Sequence, residues 1–263
     1  MNAPGIVFVG FLVVVLHCLF LTGSVWNIRR AHAAYATRRP RHPEDVAVFV
    51  PVWRLNQRAR DCILSLLRQS LRPRRLVIIM ESDQATACEW LREQANQYPE
   101  LRLVFAPSAT HCSQKSLNLL TGLKAFPEAT YYAFCDADVI PGPDWLADHV
   151  LRLTEKPDVD LISTHQWVHR RPGAGNFYLT AIHSMMLTLG CHPWIQRSGV
   201  WGGSFVIRRE SFEREQVARI WAQTIVDDVT LQNLVNRGRL RTMYLPELML
   251  DGTAPDMGYL ETD

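Results

Sequence analysis

Tyr131-Tyr132-Ala133-Phe134-Cys135-Asp136-Ala137-Asp138-Val139-Ile140-Pro141 is the stretch that decides how this chain is read. Its first five residues are apolar or aromatic, which suits a strand buried on both faces, as in a parallel sheet. Two carboxylates follow, one residue apart, on the bend where the strand ends. Placed there, they converge on one hard divalent cation. Mg²⁺ or Mn²⁺ held by one or two carboxylates keeps open positions for substrate phosphate oxygens. The bare Asp-x-Asp pattern also arises by chance as a solvated acidic turn. Its place at a strand end, ahead of Pro143-Asp144-Trp145-Leu146, favours the functional reading.

Outward from this stretch the pattern alternates. Strands are expected at 46–50, 76–80, 101–106 and 159–163. Between them, helical spacing marks 58–71 (Cys62, Ile63, Leu66, Leu67, Leu71), 84–97 and 145–153. Ser113 suits the cap of a further helix carrying Leu117, Leu120 and Leu123 on one face. After Thr164 the alternation breaks into an irregular region with Trp167, Trp194 and Trp201. It resumes with a strand at 204–207 and a helix at 228–236, stopped by Gly238. Strand–helix alternation of this kind predicts a doubly wound α/β fold, a mostly parallel sheet with helices on both faces. Ligands bind such sheets at the carboxyl ends of the strands. That places attention on 51–56, on Glu81-Ser82-Asp83 and on Asp136-Ala137-Asp138.

The bulk numbers set bounds. The 263 residues, 48% hydrophobic and 21% charged, suit one sizeable domain or two small ones. A net charge of +2 argues against a nucleic-acid partner. Cys18, Cys62, Cys88, Cys112, Cys135 and Cys191 show no CxxC spacing, the pattern of free thiols in a reducing compartment. Residues 3–27 contain no Asp, Glu, Lys or Arg, and 6–25 are almost wholly apolar. About 20 such residues span a hydrocarbon core. Arg29, Arg30, Arg38, Arg39 and Arg41 follow the run, which puts its C-terminal end in the cytoplasm. A cleaved signal peptide is the weaker reading, because no positive charge precedes a run that is long for one. The expected organisation is a single-pass membrane anchor at 1–28, a basic linker at 29–45 and a cytoplasm-facing catalytic domain at 46–263.

Other groups are less specific when taken singly. Asp227-Asp228 precedes a helix, where carboxylates commonly serve as caps or dipole partners. One of the two could instead be a general base toward an acceptor hydroxyl. Lys115 and Asn118 lie one turn apart, on the face expected to be polar and opposite Leu117 and Leu120. That face suits a phosphate and a ribose, and equally suits solvent. Gly202-Gly203 admits a close backbone approach, or is simply a turn. His165 and His169 lack the intervening glutamate of HExxH and read as structural.

In this order, from about Val46 to Pro246, these residues resemble the family 2 glycosyltransferases of the GT-A fold. Within that group the chain looks most like ceramide glucosyltransferases and their hopanoid-associated bacterial relatives. The resemblance rests on 46–51, Glu81-Ser82-Asp83, 114–120, 134–139, Cys191-His192-Pro193, 202–209 and Asp227-Asp228 with Asn236-Arg237-Gly238. It implies inverting transfer of glucose or a related hexose from a UDP-sugar to a membrane lipid hydroxyl, ceramide-like or hopanoid-like, with Mg²⁺ or Mn²⁺. By position, Asp138 would be the metal ligand and Asp136 would touch metal or ribose. Glu81 or Asp83 would stand near the nucleobase. Pro51, Lys115, Asn118 and Gly203 would line the donor site, with His192 near donor or acceptor. Asp228 would be the base. The family also carries a (Q/R)xxRW segment after the base, which does not occur here before Asp263. That departure keeps open a nucleotide-sugar-binding module without turnover, and a polysaccharide synthase is a further alternative.

Overall fold

The computed structural model describes residues 45–81, 88–169, 199–245, 248 and 250–253, with residues 8, 11, 12, 14–23 and 26. Two compact units emerge, one of 39–166 and 199–252, the other of 1–38, 167–198 and 253–263. In the second, residues 14–23 are helical and Phe8, Phe11, Leu16 and Leu19 are exposed. Among the described residues no helix is long and apolar enough to cross a membrane.

The first unit is built on a seven-stranded sheet. Its strands are β1 (Val46–Pro51), β2 (Arg75–Glu81), β3 (Leu101–Ala106), β4 (Tyr131–Cys135), β5 (Leu161–Ser163), β7 (Ser204–Arg208) and β8 (Thr242–Tyr244). β6 (Gln166–His169) and β9 (Leu250–Thr253) stand outside it. The helices are α1 (Gln57–Leu67), α2 (Glu89–Gln97), α3 (Gln114–Ala125), α4 (Trp145–Glu155), α5 (Arg209–Arg214), α6 (Val217–Trp221) and α7 (Asp227–Asn236). The strand order is β3-β2-β1-β4-β7-β5-β8. β1, β2, β3 and β4 are mutually parallel, whereas β7 runs antiparallel to β4 and β5.

Side chains of a strand alternate between faces, and here both faces are covered. Val46, Val48 and Val50 pack with Leu66, Leu67, Trp145 and Val150 on one side. Ala47 and Phe49 pack with Leu119, Leu123, Phe212 and Trp221 on the other. Phe134 is the hub of that second layer. It stacks on Phe49 and Phe205 at 5.6 and 4.6 Å and meets Trp221 edge-on at 5.4 Å. The expectation of a mostly parallel sheet with helices on both faces is met, with one antiparallel strand added.

Several details differ from the sequence reading: β5 begins at Leu161 and not at 159, and β6 lies within the stretch read as irregular. α1 ends at Leu67, four residues before the expected Leu71, which is itself buried. More consequential is the face of α3. Its buried residues are Ser116, Asn118, Leu119, Gly122 and Leu123, so Asn118 lies inward and not on a solvated face. A Cβ on Gly122 would stand 2.9 Å from Ile79 Cγ1 and 3.1 Å from Phe49 Cδ1. The helix therefore lies closer to the sheet than a larger residue permits. Gly122→Val should destabilise the protein by about 2 kcal/mol through overpacking, read as a lower urea midpoint with an unchanged slope.

Candidate active site

The chain runs β1→β2→β3 on one side of β1, then returns to place β4 on the other side. The crevice at such a reversal, outside the carboxyl ends of the strands, is where open α/β sheets bind ligands. A cleft of about 560 Å³ opens there. Of the residues singled out from sequence, Pro51, Glu81, Lys115, Asn118, Asp136 and Asp138 line it. Trp53, Arg54, Asn56 and Gln114 line it too, without an individual signal in the sequence. Asp83 and His192 lie outside the described residues.

Local chemistry positions each wall. Asn56 caps α1, its Oδ1 accepting from the Ala59 amide at 2.9 Å. That fixes the segment leading from Pro51 past Trp53, whose ring carries the Arg54 guanidinium 4.3 Å from its centroid. Ser113 caps α3 by accepting from the Ser116 amide at 3.0 Å, which sets Lys115 in the first turn. Buried Asn118 accepts from Gln114 Nε2 at 2.8 Å, while Gln114 Oε1 accepts from the Ala109 amide at 2.8 Å. Glu81 Oε1 accepts from Ser108 Oγ at 2.8 Å.

The acidic bend is fixed by its backbone. Cys135 pairs with Ser204 across the β4–β7 ladder, and the Asp136 amide donates to Gly203 O at 2.9 Å. Arg58 Nε donates to the Asp138 carbonyl. This leaves the Asp136 side chain 28% exposed, and Asp138 is exposed at the cleft wall.

Lys115 sits at the centre. Its Nζ lies 2.8 Å from Asp136 Oδ1, 3.3 Å from Asp227 Oδ2 and 3.2 Å from Gly202 O. Burial alone would lower its pKa, but the facing carboxylates of Asp136 and Asp227 outweigh burial and hold it above the ordinary lysine value. Lys115 is therefore a fixed cation. Burial pushes Asp136 up to about 6, against the pull of Lys115 and with the help of Asp138 and Asp227. One ammonium is shared by two carboxylates, and burial remains the main cause that raises Asp136.

Gly202 and Gly203 are where α7 meets β7. A Cβ on Gly202 would stand 2.8 Å from Asp227 Oδ2 and 3.2 Å from Asp228 Cβ; one on Gly203 would fall inside the Trp201 ring. What approaches this backbone closely is the acidic pair itself. Asp227 is buried, whereas half-buried Asp228 accepts from the Gly202 amide through Oδ2 at 3.1 Å. Neither side chain caps the helix, whose N-cap is Val226. Sequence reasoning gave the site role to Asp228 alone, and the inward contact of Asp227 was missed. His165 stacks on Trp201 at 5.5 Å, in keeping with a structural histidine.

Among the described residues no three His, Cys, Asp or Glu side chains form a ready-made metal cage. The donor set nevertheless fits a hard divalent cation of the kind that takes one or two carboxylates and completes its shell from a phosphate. All its donors are oxygens, and they face a cleft.

Residues 42–255 match the model of the glycosyltransferase-like family 2. The chain belongs to this family. Among solved structures, it is similar to the mannosyltransferase PcManGT from Pyrobaculum calidifontis in complex with GDP-Man and Mn²⁺. That likeness has 19% identity and a TM-score of 0.60 over 94% of this chain and 69% of the other. It is also similar to glucosyl-3-phosphoglycerate synthase from Mycobacterium tuberculosis in complex with Mn²⁺, UDP and phosphoglyceric acid. There the identity is 15% and the TM-score 0.51, over 89% and 77% of the two chains. With TarS of S. aureus the identity is 14% and the TM-score 0.54; 82% of this chain matches 38% of that one. No curated protein matches at the sequence level. These likenesses are of fold, and the glycosyltransferase described here has a GT-A-like α/β architecture.

The raised Asp136 has a measurable consequence in the metal-free glycosyltransferase. With a folded pKa of about 6 against 3.8, the folded state takes up a proton as pH falls through 6 while the unfolded chain does not. The penalty for burying the carboxylate is full above that range and relieved below it. Relative to Asp136→Asn, the wild type should therefore gain about 1 kcal/mol of unfolding free energy between pH 7 and pH 5. Denaturant unfolding at the two pH values checks this.

Proposed function

We propose that this glycosyltransferase moves a hexose, glucose or a close relative, from a UDP-sugar to the hydroxyl of a membrane lipid, ceramide-like or hopanoid-like, with inversion at the anomeric carbon. The observation that carries the donor and cation part of this reading is the meeting of Asp136, Asp138 and Lys115 in one cleft, with Asp227 on Lys115 and Asp228 on the Gly202 amide. Asp138, with Asp136 beside it, would hold Mg²⁺ or Mn²⁺. When bound, the cation supplies neutralising charge to the departing diphosphate.

The chain's own residues carry the remainder. Pro51, Trp53 and Glu81 form the inner wall against the nucleoside, with Asn118 and Gln114 completing it. Gly203 holds the Asp136 backbone in place through its carbonyl. Asp228 is the general base. The Gly202 amide fixes Oδ2 at 3.1 Å, which leaves Oδ1 to accept the proton of the acceptor hydroxyl. The acceptor oxygen then attacks the anomeric carbon on the face opposite UDP, as the bond from that carbon to the UDP diphosphate oxygen breaks. The anchor proposed at 1–28 would keep the domain at the cytoplasmic membrane surface, where a lipid acceptor is presented. Support for donor and cation comes from the nucleotide and Mn²⁺ complexes of the similar structures.

UDP release from UDP-glucose with a lipid acceptor in detergent is the direct test. Asp228→Asn should lower kcat by about 10²–10⁴-fold with little change in UDP affinity, and Asp138→Ala should abolish the Mn²⁺ dependence of UDP binding. Metal-dependent UDP binding with no turnover by the wild type would assign the chain instead to nucleotide-sugar binding alone.

A further inference from the structure

The Lys115 ammonium is divided. It sits 2.8 Å from Asp136 and 3.3 Å from Asp227, with Gly202 O as third acceptor at 3.2 Å. Asp136 thus has one direct positive partner, and that partner is shared. A divalent cation arriving at Asp136 and Asp138 competes with this ammonium for the same carboxylate oxygens. How firmly Lys115 holds Asp136 therefore sets how much the cation must displace. Asp227 is built to take the other share. Its side chain is 7% exposed, and it stands in the first turn of α7, against a residue that must be glycine for lack of room. Its backbone carbonyl accepts from Trp221 Nε1 at 3.2 Å and from Thr230 Oγ1 at 2.6 Å, so the turn that carries it is pinned.

We infer that Asp227 is a positioning residue that tunes cation affinity at Asp136–Asp138 by drawing Lys115 partly away from Asp136. The inference rests on the metal-site reading proposed above and adds to it a residue and a mechanism. With Asp227 in place, Lys115 can give up Asp136 without losing its counter-ion, because Asp227 and Gly202 O retain it. The half-buried ammonium is then never left unpaired, which would be unfavourable. Without Asp227, Lys115 has Asp136 as its single remaining carboxylate, and the cation must break that pair outright.

The two partners should thus act with opposite sign, and through each other. Binding of Mn²⁺ alone, followed by electron paramagnetic resonance at pH 7.5, should weaken about three- to tenfold in Asp227→Asn and tighten in Lys115→Met. The deciding variant is the double substitution. If Asp227 acts through Lys115, adding Asp227→Asn to Lys115→Met changes Mn²⁺ affinity by less than about twofold. If the Asp227 charge acts on the cation directly, the full weakening persists in the double variant and the inference is overturned. Weaker Mn²⁺ binding in Lys115→Met also overturns it, because the ammonium is then not a competitor. Lys115→Gln gives a second reading of that sign should the methionine variant not fold, with thermal unfolding as the check on each protein. Absence of Mn²⁺ binding by the wild type removes the metal-site reading itself, an outcome distinct from the others.

Discussion

One ammonium ties this site together. Lys115 projects from the first turn of α3 and meets Asp136 at the end of β4, Asp227 at the start of α7 and the Gly202 carbonyl before β7. Four separate segments thus converge on one charge. These ions are partly withdrawn from water, and Asp227 almost wholly so, which makes their mutual pairing matter for where each one sits. The arrangement therefore fixes relative positions more than it adds net stability. Glycines supply the room: Gly122 lets α3 lie on β1 and β2, and Gly202 lets the acidic turn press on the backbone before β7.

The sheet explains why the charge cluster sits where it does. β1 is flanked by β2 and β4, both parallel to it, and the chain reverses its direction of progress at that point. Loops leaving the two strands diverge, and the cleft is the space between them. Below it lies an aromatic layer with Phe134 in contact with Phe49, Phe205 and Trp221. That layer is fully buried and packed ring against ring, so the bend at Asp136 rests on a close-packed support. Catalysis by electrostatic stabilisation needs such a support, because groups already in place have no reorganisation left to undergo.

How much of this was legible in the sequence depended on pattern length. β1, β2, β3 and β4 could be read because each is a run of five or more residues with punctuation at its end. β8 and β9 have three and four residues, too few to show a period. The inward face of α3 was misread because periodicity counts apolar residues, and this helix buries Ser116, Asn118 and Gly122. Asn118 is tolerated there because Gln114, one turn earlier, supplies its hydrogen bond. The acidic bend, Glu81, Lys115 and the pair at 227–228 were found because chemistry concentrates at strand ends and helix starts. Sequence could not say which of Asp227 and Asp228 turns inward, since that depends on the angle at which α7 meets β7. Trp53 and Arg54 were flagged only as part of a segment, because nothing local distinguishes them from a surface loop.

Asp136 and Asp138, with Lys115 behind them, are proposed to hold a metal–nucleotide-sugar in the cleft of this family 2 glycosyltransferase. The most direct measurement is a crystal structure of the protein with Mn²⁺ and UDP, collected at a wavelength where manganese scatters anomalously. One strong anomalous peak is expected in contact with the Asp138 carboxylate, with the UDP diphosphate against it and the uracil on the Pro51–Glu81 side of the cleft. A peak away from Asp136 and Asp138, or UDP bound in the cleft with no manganese beside its diphosphate, would contradict it.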